Sequence, residues 1–201
     1  MKTKIHYEIG RLINGEMSDN GMALNKFLFV TGNLAPDLIV SYLFRQHSYT
    51  LCSVRLYKII RWLYDSGVTP GCFRFSFFLG VASHYLCDFF CYPHTKGYNG
   101  SVSEHVLYEN CQILDVDDML PFNTQSSLNY SYSALTSALD EHMAEYEKIL
   151  SRNNCVSSID IQLAVYITRW AVSAIYLNAA IKPFAGEQGT EIEAALPLSV
   201  M

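Results

Sequence analysis

Residues 72–92 read CFRFSFFLGVASHYLCDFFCY. The stretch is long enough to cross a bilayer, which takes about 20 predominantly apolar residues. It also carries Arg74, His84 and Asp88, and charged groups on a lipid-facing helix are costly and rare. A helix buried in the core of a folded domain fits these residues better, and the rest of the fold is read around it. Pro70-Gly71 before it and Pro93 after it set its limits near 72 and 90. On such a helix an unpaired carboxylate costs several kcal/mol, so Asp88 needs a cationic partner.

Outward from this helix the chain reads as helix after helix. Lys4 to Ile13 is a short one ended by Asn14-Gly15, and Met22 to Thr31 stops at Gly32. Asn33-Leu34-Ala35-Pro36-Asp37 reads as a turn, because Pro36 lacks an N–H and biases Ala35 away from helix. Pro36 could equally open a helix running on through Leu43. Tyr49 to Asp65 has apolar residues at helical spacing. Beyond the polar loop 96–100, Ser101 or Ser103 can cap a helix that carries His105 and Glu109. Asp115 to Asn129, with Pro121, reads as irregular at first. Leu135, Leu139, Met143, Tyr146 and Leu150 mark an amphipathic helix, and Ile159 to Ile181 reads as the central helix of the bundle. No alternating strand pattern, phosphate-binding glycine loop or internal repeat appears. The expected fold is all-α, a single-domain bundle of about seven or eight helices over 1–201. Metal-ligand candidates fall within 6–109, further helical core within 127–182, and a tail within 187–201.

Composition agrees with one folded domain. Half of the 201 residues are hydrophobic, and the formal net charge is −5 without any basic run. A basic nucleic-acid face is thereby excluded, unless bound cations supply the charge. Six cysteines at 52, 72, 87, 91, 111 and 155 contain no CxxC pair and read as free buried thiols. The N-terminal MKTKIHYEIGRLING lacks the apolar stretch of a secretory signal, so the expected compartment is the cytoplasm and no segment reads as membrane-spanning.

Five of the six histidines lie with carboxylates between positions 6 and 109. His84 and Asp88 are four apart, which puts both on one helix face. Gly80, one turn earlier, leaves space there for a ligand. His105 and Glu109 repeat the spacing, His94 lies between the pairs, and Asp37 follows the Ala-Pro bend with His47 ten residues on. A single such pair is most often a surface ion pair or a satisfied core histidine. Two pairs with a histidine between them, one of them in an apolar helix, point to bound metal. Imidazole and carboxylate without thiolate suit zinc, with manganese or iron as alternatives. His142 stands apart and reads as a surface histidine. Tyr42, Tyr85, Phe89, Tyr92 and Tyr98 lie near the candidates and read as core, or as walls for an apolar or base-like group.

The order His6, Gly32-Asn33-Leu34-Ala35-Pro36-Asp37, His47, His84-xxx-Asp88, His94, His105-xxx-Glu109 resembles the zinc-dependent phospholipase C family, which is related to the zinc nucleases that cut single-stranded nucleic acid. The resemblance covers about the first 110 residues. It implies one ion held by Asp37, His47, His84 and Asp88, a second by His94, His105 and Glu109, and a third by His6 with Asp88 bridging. Secreted members complete the third site with the amino group and carbonyl of an N-terminal Trp. This chain has Met1 and no Trp near it, so the implied number is two or three zinc ions. The implied reaction is phosphodiester hydrolysis of phospholipase C type on a phosphate ester, phospholipids included, with Asp37 or a metal-bound hydroxide activating the water. Competing readings are a metal-binding helical protein without turnover, nuclease-like activity on single-stranded nucleic acid, and a helical interaction module.

Overall fold

The computed structural model describes residues 1–38, 47–114, 131–152 and 157–181. These form seven α-helices and one 3-10 turn, and no strand occurs among the described residues. The helices are α1 Thr3–Asp19, α2 Lys26–Leu38, α3 Tyr49–Asp65, α4 Phe73–Phe89, α5 Val102–Asn110, α6 Tyr132–Arg152 and α7 Ser157–Ile181; the 3-10 turn is Tyr92–His94. The fold is the expected all-α, single-domain bundle. The expected irregular stretch 115–129, the continuation to Leu43, Tyr42, Cys155 and the tail 187–201 lie outside the described residues.

α4 holds the centre of the bundle. Every residue from Leu79 to Cys91 is buried, and α4 packs against α1, α2, α3 and α7. The central place expected for 159–181 is therefore not held by α7, whose last turn from Tyr176 onward is only half-buried or exposed. α7 is the one described helix long and apolar enough to cross a membrane by length and composition, yet Asp160, Thr168 and Arg169 on it are buried within the bundle. Ile5, Ile9, Ile13 and Met17 line the inner face of α1. That helix runs past Asn14-Gly15, contrary to expectation, because a helical glycine costs only about 1 kcal/mol and burying Met17 more than offsets it. The helix ends at Asn20, and Gly21 at φ 74° reverses the chain.

α2 also departs from expectation. Residues 33–37 are not a turn: the helix continues through Gly32 and Pro36 to Leu38. Pro36 has no N–H to give the Gly32 carbonyl, which costs the helix one hydrogen bond. Packing against α4 fixes the rest. A Cβ added at Gly32 would lie 2.1 Å from the Phe77 carbonyl oxygen, and one at Gly80 would lie 2.1 Å from that of Phe29. The two backbones thus touch at their crossing. Gly80 serves this contact and does not open space for a ligand, as its spacing had suggested.

Candidate metal centre

The crossing of α2 and α4 brings four predicted side chains to one point. His84 and Asp88 project from α4, Asp37 from the last turn of α2, and His47 from the residue before the N-cap of α3. His47 Nδ1 lies 3.0 Å from His84 Nε2 and 3.1 Å from Asp88 Oδ2. His84 Nε2 lies 3.2 Å from the same Asp88 oxygen. Asp37 Oδ1 is 3.7 Å from His84 Nε2 and 4.0 Å from His47 Nδ1. Around a tetrahedral zinc with bonds of about 2.0–2.1 Å, ligand atoms sit about 3.3 Å apart. His47 Nδ1, His84 Nε2 and Asp88 Oδ2 therefore have the spacing of a zinc coordination shell, with Asp37 Oδ1 close to its two nitrogens.

The tautomer of His84 supports the same reading. Its Nδ1 lies 2.9 Å from the Asn33 carbonyl oxygen, which can only accept. Nδ1 is then the donor, and in the neutral ring Nε2 carries a lone pair aimed at the Asp88 carboxylate. Two acceptors at that distance repel unless a proton or a metal ion lies between them. A ring nitrogen fixed by a carbonyl behind it is the arrangement metal-binding histidines adopt. Asn33 has a second part, since its amide donates to the His6 carbonyl at 2.6 Å.

His6 stacks on His84 with ring centroids 3.9 Å apart, and its Nε2 lies 3.1 Å from Asp88 Oδ1. Burial, together with the neighbouring His84, lowers the His6 pKa to about 4, so the ring is neutral at pH 7 and its lone pair is available. Asp88 thus faces His6 with one oxygen and the His47–His84 pair with the other, the geometry of a bridging carboxylate. Burial alone would raise the Asp88 carboxyl, but the Met1 ammonium and the surrounding histidines hold it well below the usual range. The buried nitrogens His6 Nδ1 and His47 Nε2 have no hydrogen-bond partner among the described residues.

The second predicted group gathers beside the first. Glu109 Oε1 lies 3.1 Å from His94 Nε2 and 2.9 Å from His105 Nε2. His94 ends the 3-10 turn, and the other two share a face of α5, whose start is fixed by a capping box between Ser101 and Glu104. The amino group of Met1 joins the groups: it lies 2.6 Å from Asp88 Oδ1, 3.0 Å from Glu109 Oε1 and 3.2 Å from His94 Nε2. Burial opposes its charge, yet Asp88, Cys91 and Glu109 raise its pKa well above the usual amine value. A cation is held where two carboxylates and a histidine converge.

All eight predicted residues thus meet in one region. His142 lies elsewhere, with its ring against Trp170. Four further participants lie outside those eight. They are the Asn33 carbonyl, the Met1 amine, Thr3, whose hydroxyl donates to Asp37 Oδ2 at 2.9 Å, and Cys91, which groups with His94 and Glu109 within 4.8 Å. Cys91 thus adds a thiol within reach of the imidazole and carboxylate set. Burial first, and nearby carboxylates next, push the Cys91 thiol up, so without a cation it stays protonated. A cavity of about 710 Å³ opens onto Asp37, His47, Asp88, His94, His105 and Glu109, with Lys96 and Tyr98 at its wall. Tyr85 and Phe89 are core. Tyr92 packs against Tyr98 and Tyr108.

The family model described as zinc dependent phospholipase C matches residues 5–153. No curated protein and no solved structure matches the chain significantly.

Proposed function

The chain belongs to the zinc-dependent phospholipase C family, and we propose that it is a phosphodiesterase acting at a multinuclear zinc centre. The observation that carries this reading is the group of His47 Nδ1, His84 Nε2 and Asp88 Oδ2, 3.0 to 3.2 Å apart, with Asp37 Oδ1 at 3.7 and 4.0 Å from its two nitrogens. In this reading those residues hold one ion, and His94, His105 and Glu109 hold a second. His6 and Asp88 serve a third. The ions would supply positive charge for phosphate oxygens and acidify a water toward a pKa of ~7.

The protein's own groups do the rest. Asp37 lines the cavity; Oδ1 belongs to the shell, and Oδ2, which accepts from the Thr3 hydroxyl, is the oxygen left to act as a base. It is therefore placed to take a proton from the attacking water. Asp88 and Glu109, held ionised by the cations around them, keep ligand lone pairs available across neutral pH. His84 is fixed in rotation by Asn33 and does not need to reorganise during turnover. The cavity has room for a phosphodiester headgroup (ligand sites commonly span about 300–1,000 Å³), and Lys96 adds positive charge at its wall. A cytoplasmic setting is part of the proposal, supported by the free thiols of Cys52, Cys72, Cys87, Cys91 and Cys111.

The test is turnover by the zinc-loaded protein of phospholipid phosphodiesters, soluble phosphodiesters, phosphomonoesters and single-stranded nucleic acid. Zinc-dependent hydrolysis of a phospholipid phosphodiester, abolished by Asp37→Asn, is the expected result. Hydrolysis of nucleic acid alone would move the substrate to that class. Full zinc occupancy with no turnover on any of them would leave a metal-binding protein without catalysis and refute the proposal.

A further inference from the structure

Asp160 belongs to α7, beyond the residues 5–153 matched by the family, and its side chain is completely buried at 0% exposure. A buried carboxylate is expensive, and this one is offset by three hydrogen bonds from three different segments. The backbone N–H of Tyr92 donates to Oδ2 at 2.8 Å, and the Tyr108 hydroxyl donates to the same oxygen at 2.7 Å. The Tyr146 hydroxyl donates to Oδ1 at 2.6 Å.

Two of those donors sit among the ligands of the second group. Tyr92 opens the 3-10 turn that ends at His94. Tyr108 lies on α5 between His105 and Glu109. One carboxylate oxygen therefore ties together the two segments that carry His94, His105 and Glu109. α5 is otherwise held by ring contacts of Tyr108 with Tyr92 and of His105 with His94 and Tyr98. It has nine residues and none is buried, and a helix so short does not persist by itself. The capping box at Ser101 fixes its start, and the tie from Tyr108 is its hydrogen bond to α7.

We infer that Asp160 is a positioning residue that sets the separation of His94 from the His105–Glu109 pair, and so the metal affinity of that group. The inference rests on the metal reading proposed above. It asks for acceptor geometry at position 160 and not for charge. An Asn there can keep its oxygen toward Tyr92 and Tyr108, and turn its amide to the Tyr146 oxygen, which can accept.

The test titrates metal-free full-length chain with Co²⁺ and Zn²⁺ alone, reading stoichiometry, stepwise affinity by competition with a chromophoric chelator, and the cobalt absorption spectrum. Asp160→Ala and Tyr108→Phe should weaken the His94–His105–Glu109 ion by about 10- to 100-fold and yield the spectrum of a His105→Ala reference. The ion at Asp37, His47, His84 and Asp88 should stay filled. Asp160→Asn should restore the lost ion. Tyr146→Phe removes a bond to the same carboxylate from a helix without ligands, and should leave both ions. Tyr108→Phe deletes one hydroxyl, so it gives the answer even if Asp160→Ala does not fold. Wild-type filling in Tyr108→Phe, or equal losses in Tyr108→Phe and Tyr146→Phe, overturns the inference alone. A wild-type chain that binds neither metal overturns the proposed function as well.

Discussion

Gly80→Ala tests how closely the metal centre depends on the helix crossing. The new methyl carbon would lie 2.1 Å from the Phe29 oxygen and 2.9 Å from the Asn33 nitrogen. Carbon and oxygen need about 3.0 Å or more, so α2 and α4 must separate by roughly 1 Å. Overpacking of this kind costs typically 1–3 kcal/mol. The gain from replacing a helical glycine, about 0.5–1 kcal/mol, offsets part of it. A net loss of about 1–2 kcal/mol lowers the melting temperature of a chain this long by about 2–8 °C. The same displacement stretches the bond from His84 Nδ1 to the Asn33 carbonyl, now 2.9 Å, beyond hydrogen-bonding range, and carries Asp37 away from His84. Zinc affinity should then fall at least about tenfold. The assay is thermal melting of the zinc-free protein followed by chelator competition. Gly15→Ala is the control: a Cβ there meets nothing within 4 Å, so that variant should be more stable by about 0.5–1 kcal/mol and bind zinc normally. If Gly80→Ala melts like the parent and keeps its zinc affinity, the crossing does not set the site.

Removing zinc with a chelator should lower the melting temperature, since free ion at about a thousand times its Kd stabilises by about 4 kcal/mol; calorimetry without a shift would contradict the metal reading. Thr3→Val unties Asp37 and should cost turnover roughly tenfold while zinc stoichiometry holds, and a loss of zinc instead would give Thr3 a different role. Ser101→Ala breaks the capping box of α5, at about 1 kcal/mol of local stability, and should weaken the ion at His105 and Glu109 alone, as read by stepwise titration. In the zinc-free protein, His6 is shifted down to about 4 by burial and by His84. The unfolded chain then binds more protons between about pH 4 and 6.5, so stability falls as pH drops through that window, by about 3 kcal/mol. Urea melts of wild type and His6→Asn at pH 7 and 4.5 check this, and a wild-type profile as flat as that of the variant would refute it.

Much of this protein is legible in its sequence because the chemistry concerned is local. The helical spacing of Ile5, Ile9 and Ile13, the largely apolar run of 79–91 and the four-residue spacing of His84 and Asp88 are properties of neighbouring residues, so the helices and the pairs of candidate ligands can be read directly. What tertiary structure decided is everything that depends on two segments meeting. The sequence rule that Pro36 should interrupt a helix lost to packing, because α2 is held against α4 along the contact at Gly32 and Gly80. The convergence of the eight side chains, the Asn33 carbonyl behind His84 and the Met1 amine between Asp88 and Glu109 are backbone placements that no side-chain pattern encodes. Asp160, fifty-two positions from Tyr108, bears on the centre only because α7 lies beside the turn that carries His94. Hydrophobic periodicity acts over one or two turns of chain, whereas a coordination shell is built to a few tenths of an ångström by contacts between residues far apart in sequence.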